Sequence, residues 1–149
     1  MKVLFVCTGN ICRSPTAVGV FGHFVRQAGL QESIHAESAG THDYHAGEAP
    51  DERAQEHARR RGYDLSALRA RRVRSRDFED FDLIVALDRG HQQLLQRMSP
   101  AEHRGKIRLL IKGRDVPDPY YGGEEGFERV LDMVEAASLA LLAELRASV

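Results

Sequence analysis

The sequence predicts an α/β fold, because short apolar runs typical of strands alternate along the chain with segments of helical periodicity. This alternation indicates parallel βαβ units joined by right-handed crossovers. With 149 residues, of which 42% are hydrophobic and 29% charged, the chain has the composition of one globular domain spanning residues 1–149. In such a sheet, ligands bind beside the carboxyl ends of the strands.

Four segments are predicted as strands. The first is the β-branched and aromatic run at 3–6, and the clearest internal strand is Asp-Leu-Ile-Val-Ala-Leu at 82–87. Segments 34–40 and 107–111 are predicted as the other two strands. The strand at 3–6 leads directly into the most informative loop of the chain.

Helical segments separate these strands. The first is predicted to begin with Ser14 as its N-cap and Pro15 as its first helical residue, and to end at Gly29. Further helices are predicted at 51–61 and 89–98, followed by a loop from 112 to 126. The last helix is amphipathic, and one face carries Phe127, Val130, Leu131, Val134, Ser138, Leu141 and Leu145.

The loop at 7–14 reads Cys-Thr-Gly-Asn-Ile-Cys-Arg-Ser. Gly9 and Asn10 tolerate left-handed backbone, so the chain can turn here and direct successive N–H groups at one anion beside a helix start. Arg13 adds a planar guanidinium that can bind two phosphoryl oxygens at once. The same positive field stabilises a thiolate at Cys7, to which Ser14 could donate a hydroxyl hydrogen bond. The loop therefore indicates attack of sulfur on phosphorus.

Other interpretations of this loop are weaker. A buried structural thiol would explain Cys7 alone, but not Cys7 together with Arg13 and Ser-Pro. Cys7 and Cys12 lack the spacing of zinc ligands, and no Gly-Lys-Ser/Thr follows as in a nucleotide-binding loop. His42 and His45 are interpreted as loop surface, since nothing completes a metal site. We predict no metal and no cofactor.

The string VLFVCTGNICRSPTA and the later Asp-Pro-Tyr-Tyr at 118–121 together resemble the low-molecular-weight protein tyrosine phosphatases. The resemblance covers essentially the whole chain. It implies a four-stranded parallel twisted sheet with helices on both faces and a phosphate-binding loop after the first strand. It also implies two-step hydrolysis of aryl phosphomonoesters through a cysteinyl-phosphate, without a metal.

By this resemblance Cys7 is the nucleophile, Arg13 binds phosphate and Asp118 is the general acid and then the base. Pro117 and Pro119 would stiffen the acid loop, while nearby Asp115 does not match the family pattern. The phosphate-binding loop also contains Thr8, Gly9, Asn10, Ile11, Cys12 and Ser14. The walls of the substrate pocket are predicted to be Tyr44, Tyr120 and Tyr121.

Asn10 is predicted to support the loop through side-chain hydrogen bonds, with Ser38 as one partner. A histidine frequent in the family is replaced here by Leu68, so that one support of Asn10 is lost or replaced. Cys12 resembles the second cysteine of the family, which can trap an oxidised Cys7 as a disulfide.

Other functions on the same fold fit less well. Thiol-dependent arsenate reductases relay electrons through further cysteines, and this chain has none after Cys12. Phosphoarginine phosphatases tend to have threonine at the position of Ile11 and lack the paired tyrosines. A non-catalytic phosphotyrosine-binding module would lack the nucleophile or the acid.

The predicted partners are a tyrosine-phosphorylated protein, for which the family suggests a bacterial tyrosine kinase, and phosphate or other oxyanions as product or inhibitor. The net charge of -1 gives no argument for nucleic acid, and no apolar stretch approaches the ~20 residues of a membrane span. Two cysteines five positions apart favour a reducing cytoplasm. The basic stretch at 69–76 is either a solvated face or a docking surface for an acidic phosphorylated protein.

Overall fold

The computed structural model describes residues 1–120 and 123–149, and its strands form a four-stranded parallel sheet in the order β2-β1-β3-β4. The strands are β1 (Lys2–Cys7), β2 (His35–Gly40), β3 (Leu83–Ala86) and β4 (Ile107–Leu109). All four predicted strands are confirmed, and each differs by no more than two residues at either end.

The helices are α1 (Arg13–Gln27), α2 (Glu52–Arg60), α3 (Asp77–Asp80), α4 (Arg89–Met98) and α5 (Glu124–Arg146), with a 3₁₀ helix at Ala101–Lys106. The short α3 and the 3₁₀ helix were not predicted. Helix α5 begins three residues before its predicted apolar face, because Glu124 and Glu125 in its first turn suit the positive end of the helix dipole. No helix within the described residues has the length and apolar character needed to cross a membrane.

The predicted start of α1 is corrected. The helix begins at Arg13, with Cys12 as an N-cap whose side chain makes no capping hydrogen bond. Ser14 lies inside the first turn and Pro15 is the third helical residue. The hydroxyl of Ser14 does not cap the helix because it lies 3.0 Å from the sulfur of Cys7.

The core lies on both faces of the sheet because side chains of β1 alternate in direction. Phe5 packs with Phe21 of α1 and with the buried face of α5, whereas Leu4 packs with Ile84 and Leu95 on the opposite face. These side chains are buried on both faces of the sheet, so helices cover both faces as predicted. The buried sheet holds the carboxyl ends of β1 and β3 in fixed positions.

Gly40 allows β2 to end directly against the loop that follows β1. A Cβ atom at this position would lie 2.6 Å from the carbonyl oxygen of Thr8 and 2.9 Å from that of His42. Both distances are shorter than a carbon–oxygen contact permits, and the atoms are backbone atoms that cannot move aside. The absence of a side chain at Gly40 is therefore required by the geometry of the loop.

Candidate active site

The loop at 7–14 forms the floor of a pocket of about 270 Å³ at the carboxyl end of β1. The pocket brings together Cys7, Arg13 and Asp118, which the sequence predicted as the chemical groups. Tyr44 and Tyr120 line the same pocket, as predicted for its walls. Tyr121, the third predicted wall residue, lies outside the described residues.

A chain of hydrogen bonds determines how Ser14 meets Cys7. The backbone N–H of Arg71 donates to Oδ1 of Asn10 at 3.0 Å, so the amide nitrogen of Asn10 must face the other way, where it donates to the Ser14 hydroxyl at 2.8 Å. The Ser14 oxygen thus accepts from Asn10 and has its own hydrogen to donate, with the Cys7 sulfur at 3.0 Å and the more distant Ala39 carbonyl at 3.5 Å as its neighbours. The backbone N–H of Ser14 points at the same sulfur, 3.4 Å away. The Ser14 hydroxyl and the Ser14 backbone N–H thus converge on the sulfur of Cys7.

Asn10 is also the one described non-glycine residue with a positive φ, at 60°. The left-handed conformation predicted for this turn is confirmed at Asn10. Within residues 1–120 and 123–149, the hydrogen bonds of its side chain go to Ser14 and Arg71 rather than to Ser38, the partner that the sequence predicted. Ser38 instead lies within β2, paired with Phe5, and Leu68 packs against the core.

The guanidinium of Arg13 is buried and held in one orientation. Its Nη1 donates to Oδ2 of Asp88 at 2.7 Å and to the carbonyl of Val116 at 3.0 Å. Its Nη2 lies 3.8 Å from Oδ2 of Asp118. Because Nη1 is occupied by the protein, Nη2 is the edge that an anion in the pocket can approach.

The carboxylate of Asp118 is about half exposed and lies on the loop that closes the pocket. Its Oδ1 accepts a hydrogen bond from the backbone N–H of Tyr120 at 2.9 Å. The side chain of Arg53 donates to the Tyr120 carbonyl at 2.9 Å, and its guanidinium lies 5.5 Å from the Tyr120 ring and 4.9 Å from the ring of Phe127. Arg53 therefore connects the loop that carries Asp118 to α2 and α5.

Residues 2–149 match the family model described as low molecular weight phosphotyrosine protein phosphatase. The chain belongs to this family. A low molecular weight protein-tyrosine-phosphatase of Streptomyces coelicolor is 48% identical over 99% of this chain and 95% of the relative.

Solved structures agree with this assignment. The protein tyrosine phosphatase of Entamoeba histolytica, crystallised with Hepes in its active site, superposes with a TM-score of 0.95 at 41% identity, covering 99% of this chain and 98% of that one. Wzb of Vibrio vulnificus, solved in complex with benzylphosphonate, superposes with a TM-score of 0.87 at 30% identity, covering 97% and 98% of the two chains. The protein is a phosphoric monoester hydrolase of the protein tyrosine phosphatase class.

Asp88 and His91 contact the phosphate-binding loop and were not predicted from the sequence. Asp88 follows β3 and caps α4 by accepting the N–H of His91 at 2.9 Å, while its other oxygen binds Arg13. The ring of His91 is buried and lies 2.8 Å from the Thr8 hydroxyl through Nε2. The position of Asp88 at the carboxyl end of the clearest strand was a usable signal. His91 gave none.

Asp115, the sequence-based alternative to Asp118, is bound by Arg89. The backbone N–H and the side chain of Arg89 both donate to Asp115, at 2.9 and 3.1 Å. These bonds lower the pKa of Asp115 and hold its carboxylate against Arg89. It is also absent from the residues that line the pocket within the described part of the chain.

The histidines of the 41–50 loop are not merely surface residues of this phosphatase. His45 lines the pocket and packs on Gly9, where a Cβ atom would lie 3.0 Å from the imidazole ring. The ring of His42 stacks on that of Tyr44 with centroids 5.0 Å apart and an interplanar angle of 14°. This stacking gives the exposed Tyr44 ring a fixed neighbour at the pocket rim.

Cys12 is buried beside the pocket, and both it and Cys7 are free thiols. Burial, followed by the negative charge of Asp51, raises the pKa of Cys12 well above its usual range. Cys12 is therefore a protonated thiol and not a second nucleophile. Its role in trapping an oxidised Cys7 stays a prediction.

The basic stretch at 69–76 is partly structural. Arg71 makes two hydrogen bonds to the buried carboxylate of Asp77, at 2.9 and 3.2 Å, and its backbone supports Asn10. Arg76 pairs with Asp80 on the surface. Arg71 is therefore neither part of a purely solvated face nor free for docking, because it helps to hold the phosphate-binding loop.

Proposed function

We propose that this phosphatase hydrolyses phosphotyrosine in proteins with Cys7 as nucleophile, Arg13 as phosphate ligand and Asp118 as general acid and base. The observation that carries the proposal is the convergence of these three groups in one pocket with the rings of Tyr44 and Tyr120. A sulfur, a cation and a carboxyl group at the same anion site provide what an in-line phosphoryl transfer requires.

In the first step the Cys7 thiolate attacks phosphorus, the S–P bond forms and the bond to the phenolic oxygen breaks. The loop N–H groups and Arg13 stabilise the charge on the equatorial oxygens. Asp118 gives its proton to the departing phenolate, which leaves as a neutral phenol.

In the second step water attacks the cysteinyl-phosphate while the Asp118 carboxylate removes a proton from it. The S–P bond breaks, phosphate leaves and the sulfur returns as a thiolate. The hydroxyl of Ser14, 3.0 Å from that sulfur, stabilises the leaving thiolate by donating its hydrogen.

An aromatic ester is the substrate that suits the pocket walls. Tyr44 and Tyr120 can stack against a phenyl ring, each pair contributing about 1 kcal/mol beyond burial. The complex of the Vibrio vulnificus relative combines an aromatic ring with a phosphonate in one ligand, which supports this assignment. The physiological substrate would be a tyrosine-phosphorylated protein, with a bacterial tyrosine kinase as the proposed partner and the cytoplasm as the proposed location, in keeping with two free thiols.

The substrate class is tested by measuring turnover of matched phosphotyrosine and phosphoserine peptides, phosphoarginine and arsenate. We expect kcat/KM for phosphotyrosine to exceed the others by at least about 100-fold, equivalent to ~3 kcal/mol in the barrier. The phenolate is the better leaving group, and its ring alone contacts the tyrosine walls. Comparable or faster turnover of phosphoarginine, or arsenate reduction with a thiol, would contradict the proposal.

Arg53 is expected to matter for turnover although it does not touch the reacting atoms. Replacing Arg53 by Ala removes its hydrogen bond to the Tyr120 carbonyl and its contacts with two rings, which loosens the loop that carries Asp118. We expect kcat/KM for an aryl phosphate to fall by about 10-fold. Arg59→Ala is the matched control, since Arg59 lies on the same helix and pairs only with Glu56 among the described residues. Equal activities of the two variants would show that Arg53 has no such role.

A further inference from the structure

The first turn of α4 contacts the phosphate-binding loop at two separate points. Oδ2 of Asp88 binds the Arg13 guanidinium at 2.7 Å, and Nε2 of His91 lies 2.8 Å from the hydroxyl of Thr8. Arg13 and Thr8 are at opposite ends of the loop. Both contacts therefore connect the loop to one rigid element that follows β3.

The surroundings of His91 determine its charge. The ring is 5% exposed, and among the described residues the charged and titratable groups that act on it most are Arg13, Asp88, Asp118 and His42. Burial and the positive charge of Arg13 lower the pKa of His91 to about 4, and the Asp88 carboxylate offsets this only in part. The ring is therefore neutral at physiological pH and has one N–H donor and one lone pair.

The neighbours also determine which nitrogen of His91 carries the hydrogen. Nδ1 lies 3.1 Å from Oδ1 of Asp88, and no hydrogen bond of good geometry joins Nδ1 to the described part of the protein. A lone pair on Nδ1 would face a carboxylate oxygen and be repelled, whereas an N–H there is attracted. The hydrogen therefore belongs on Nδ1, and Nε2 is an acceptor for the Thr8 hydroxyl.

We propose that His91 is a positioning residue for the proposed phosphoryl transfer, whose Nε2 accepts the Thr8 hydroxyl and fixes the start of the phosphate-binding loop. With Asp88 fixing Arg13, the first turn of α4 sets the distance between the two ends of the anion site. Nε2 makes the one full side-chain hydrogen bond of this ring within the described residues, and that bond goes to the loop. A histidine that served only to fill the core would have no reason to direct its nitrogen there.

Substitutions at both ends of the contact test the proposal. His91→Leu and Thr8→Val each remove it, and each is expected to lower kcat for an aryl phosphate about 10-fold and to weaken inhibition by inorganic phosphate by a similar factor. The double variant is expected to lose no more than about 10-fold, because both changes remove the same bond. His91→Gln can place an amide oxygen near the position of Nε2 and should recover most activity, whereas the shorter His91→Asn should not. His35→Gln, at an exposed position on β2, is the control for an unrelated histidine.

The proposal would be overturned if the losses of kcat in the two single variants multiplied in the double variant. It would also be overturned if kcat of His91→Leu stayed within twofold of wild type. If His91→Leu fails to fold, Thr8→Val keeps the ring in place and gives the same test. Binding of inorganic phosphate, followed by titration calorimetry, needs no turnover. Wild-type protein that binds phosphate but hydrolyses no aryl ester would refute the proposed function, while a weakened phosphate affinity in Thr8→Val would still support the role of His91.

The tautomer gives a readout that a purely structural residue would not predict. Nitrogen-15 NMR of the wild-type imidazole should show His91 neutral, protonated on Nδ1, and unchanged in chemical shift from pH 8 down to about 5. In Thr8→Val the Asp88 carboxylate still lies beside Nδ1, so Nδ1 should keep its hydrogen, whereas the Nε2 resonance should shift because Nε2 loses its hydrogen-bond donor. A His91 ring protonated on Nε2 in the wild type would contradict the proposed hydrogen bond directly.

Discussion

Replacing Cys7 with serine is expected to abolish the hydrolysis of phosphotyrosine peptides, with kcat falling by roughly 10⁵-fold or more. Among the described residues, no basic side chain hydrogen-bonds to the Cys7 sulfur, so a serine hydroxyl at this position would stay protonated. The Ser14 hydroxyl, which accepts from Asn10, lies 3.0 Å from the sulfur, and a hydroxyl is not a base. Donors stabilise a nucleophile that is already an anion, but they cannot remove a proton from an alcohol. Single-turnover measurement with a phosphotyrosine peptide gives the rate.

Binding of inorganic phosphate controls for the integrity of the Cys7→Ser site. The backbone N–H groups of the loop and the Arg13 guanidinium remain, so the affinity is expected to stay within about 10-fold of wild type. Thermal unfolding should change little, because serine and cysteine are similar in size. Turnover above about 1% of wild type would contradict the role of Cys7. Joint loss of turnover and of phosphate binding would instead show that the loop had collapsed.

Cys7 and Arg13, which the sequence predicts without help from any family resemblance, lie close together along the chain. Cys7 and Arg13 are on the same loop, and an apolar strand followed by glycine, asparagine and a helix start predicts that loop locally. Asp118 was found through its motif and not from spacing alone. The strands were predicted well because β-branched runs in a fully buried parallel sheet have a strong signal.

The missed parts depend on contacts between distant segments. Asp88 meets Arg13 across 75 positions of sequence, and His91 meets Thr8 across 83. No periodicity encodes such a pairing, although the order of strands put Asp88 at the functional edge of the sheet. The side-chain oxygen of Asn10 accepts from the backbone N–H of Arg71. Every residue except proline has this group, so the residue type at position 71 could not have predicted the hydrogen bond. The prediction of Ser14 as the α1 N-cap was wrong because a serine before a proline favours capping, whereas here the Ser14 hydroxyl lies beside the Cys7 sulfur.

Replacing Asp118 with asparagine is expected to lower kcat for a phosphotyrosine peptide by about 10²- to 10³-fold, the usual contribution of a general acid. The loss should depend on the leaving group. A nitrophenyl phosphate expels a weakly basic phenolate that needs no proton, so its first step should be much less affected. Its second step still lacks the base, so the cysteinyl-phosphate should accumulate. Intact mass spectrometry shortly after substrate addition should then detect one phosphoryl group on Cys7 in Asp118→Asn, and in Asp118→Ala, but not in wild type.

Asp115→Asn provides the matched control, three positions upstream on the same loop. Its carboxylate already accepts two hydrogen bonds from Arg89 and does not line the pocket within the described residues, so kcat should stay within about threefold of wild type. Asp118, by contrast, lines the pocket, and its Oδ2 lies 3.8 Å from Nη2 of Arg13. A loss of the same size for every leaving group in Asp118→Asn would mean that the carboxyl group acts by positioning and not by proton transfer. A larger loss of kcat in Asp115→Asn than in Asp118→Asn would contradict the assignment of Asp118 as the general acid. The dependence on the leaving group identifies the acid, because only a group that reaches the ester oxygen can protonate it.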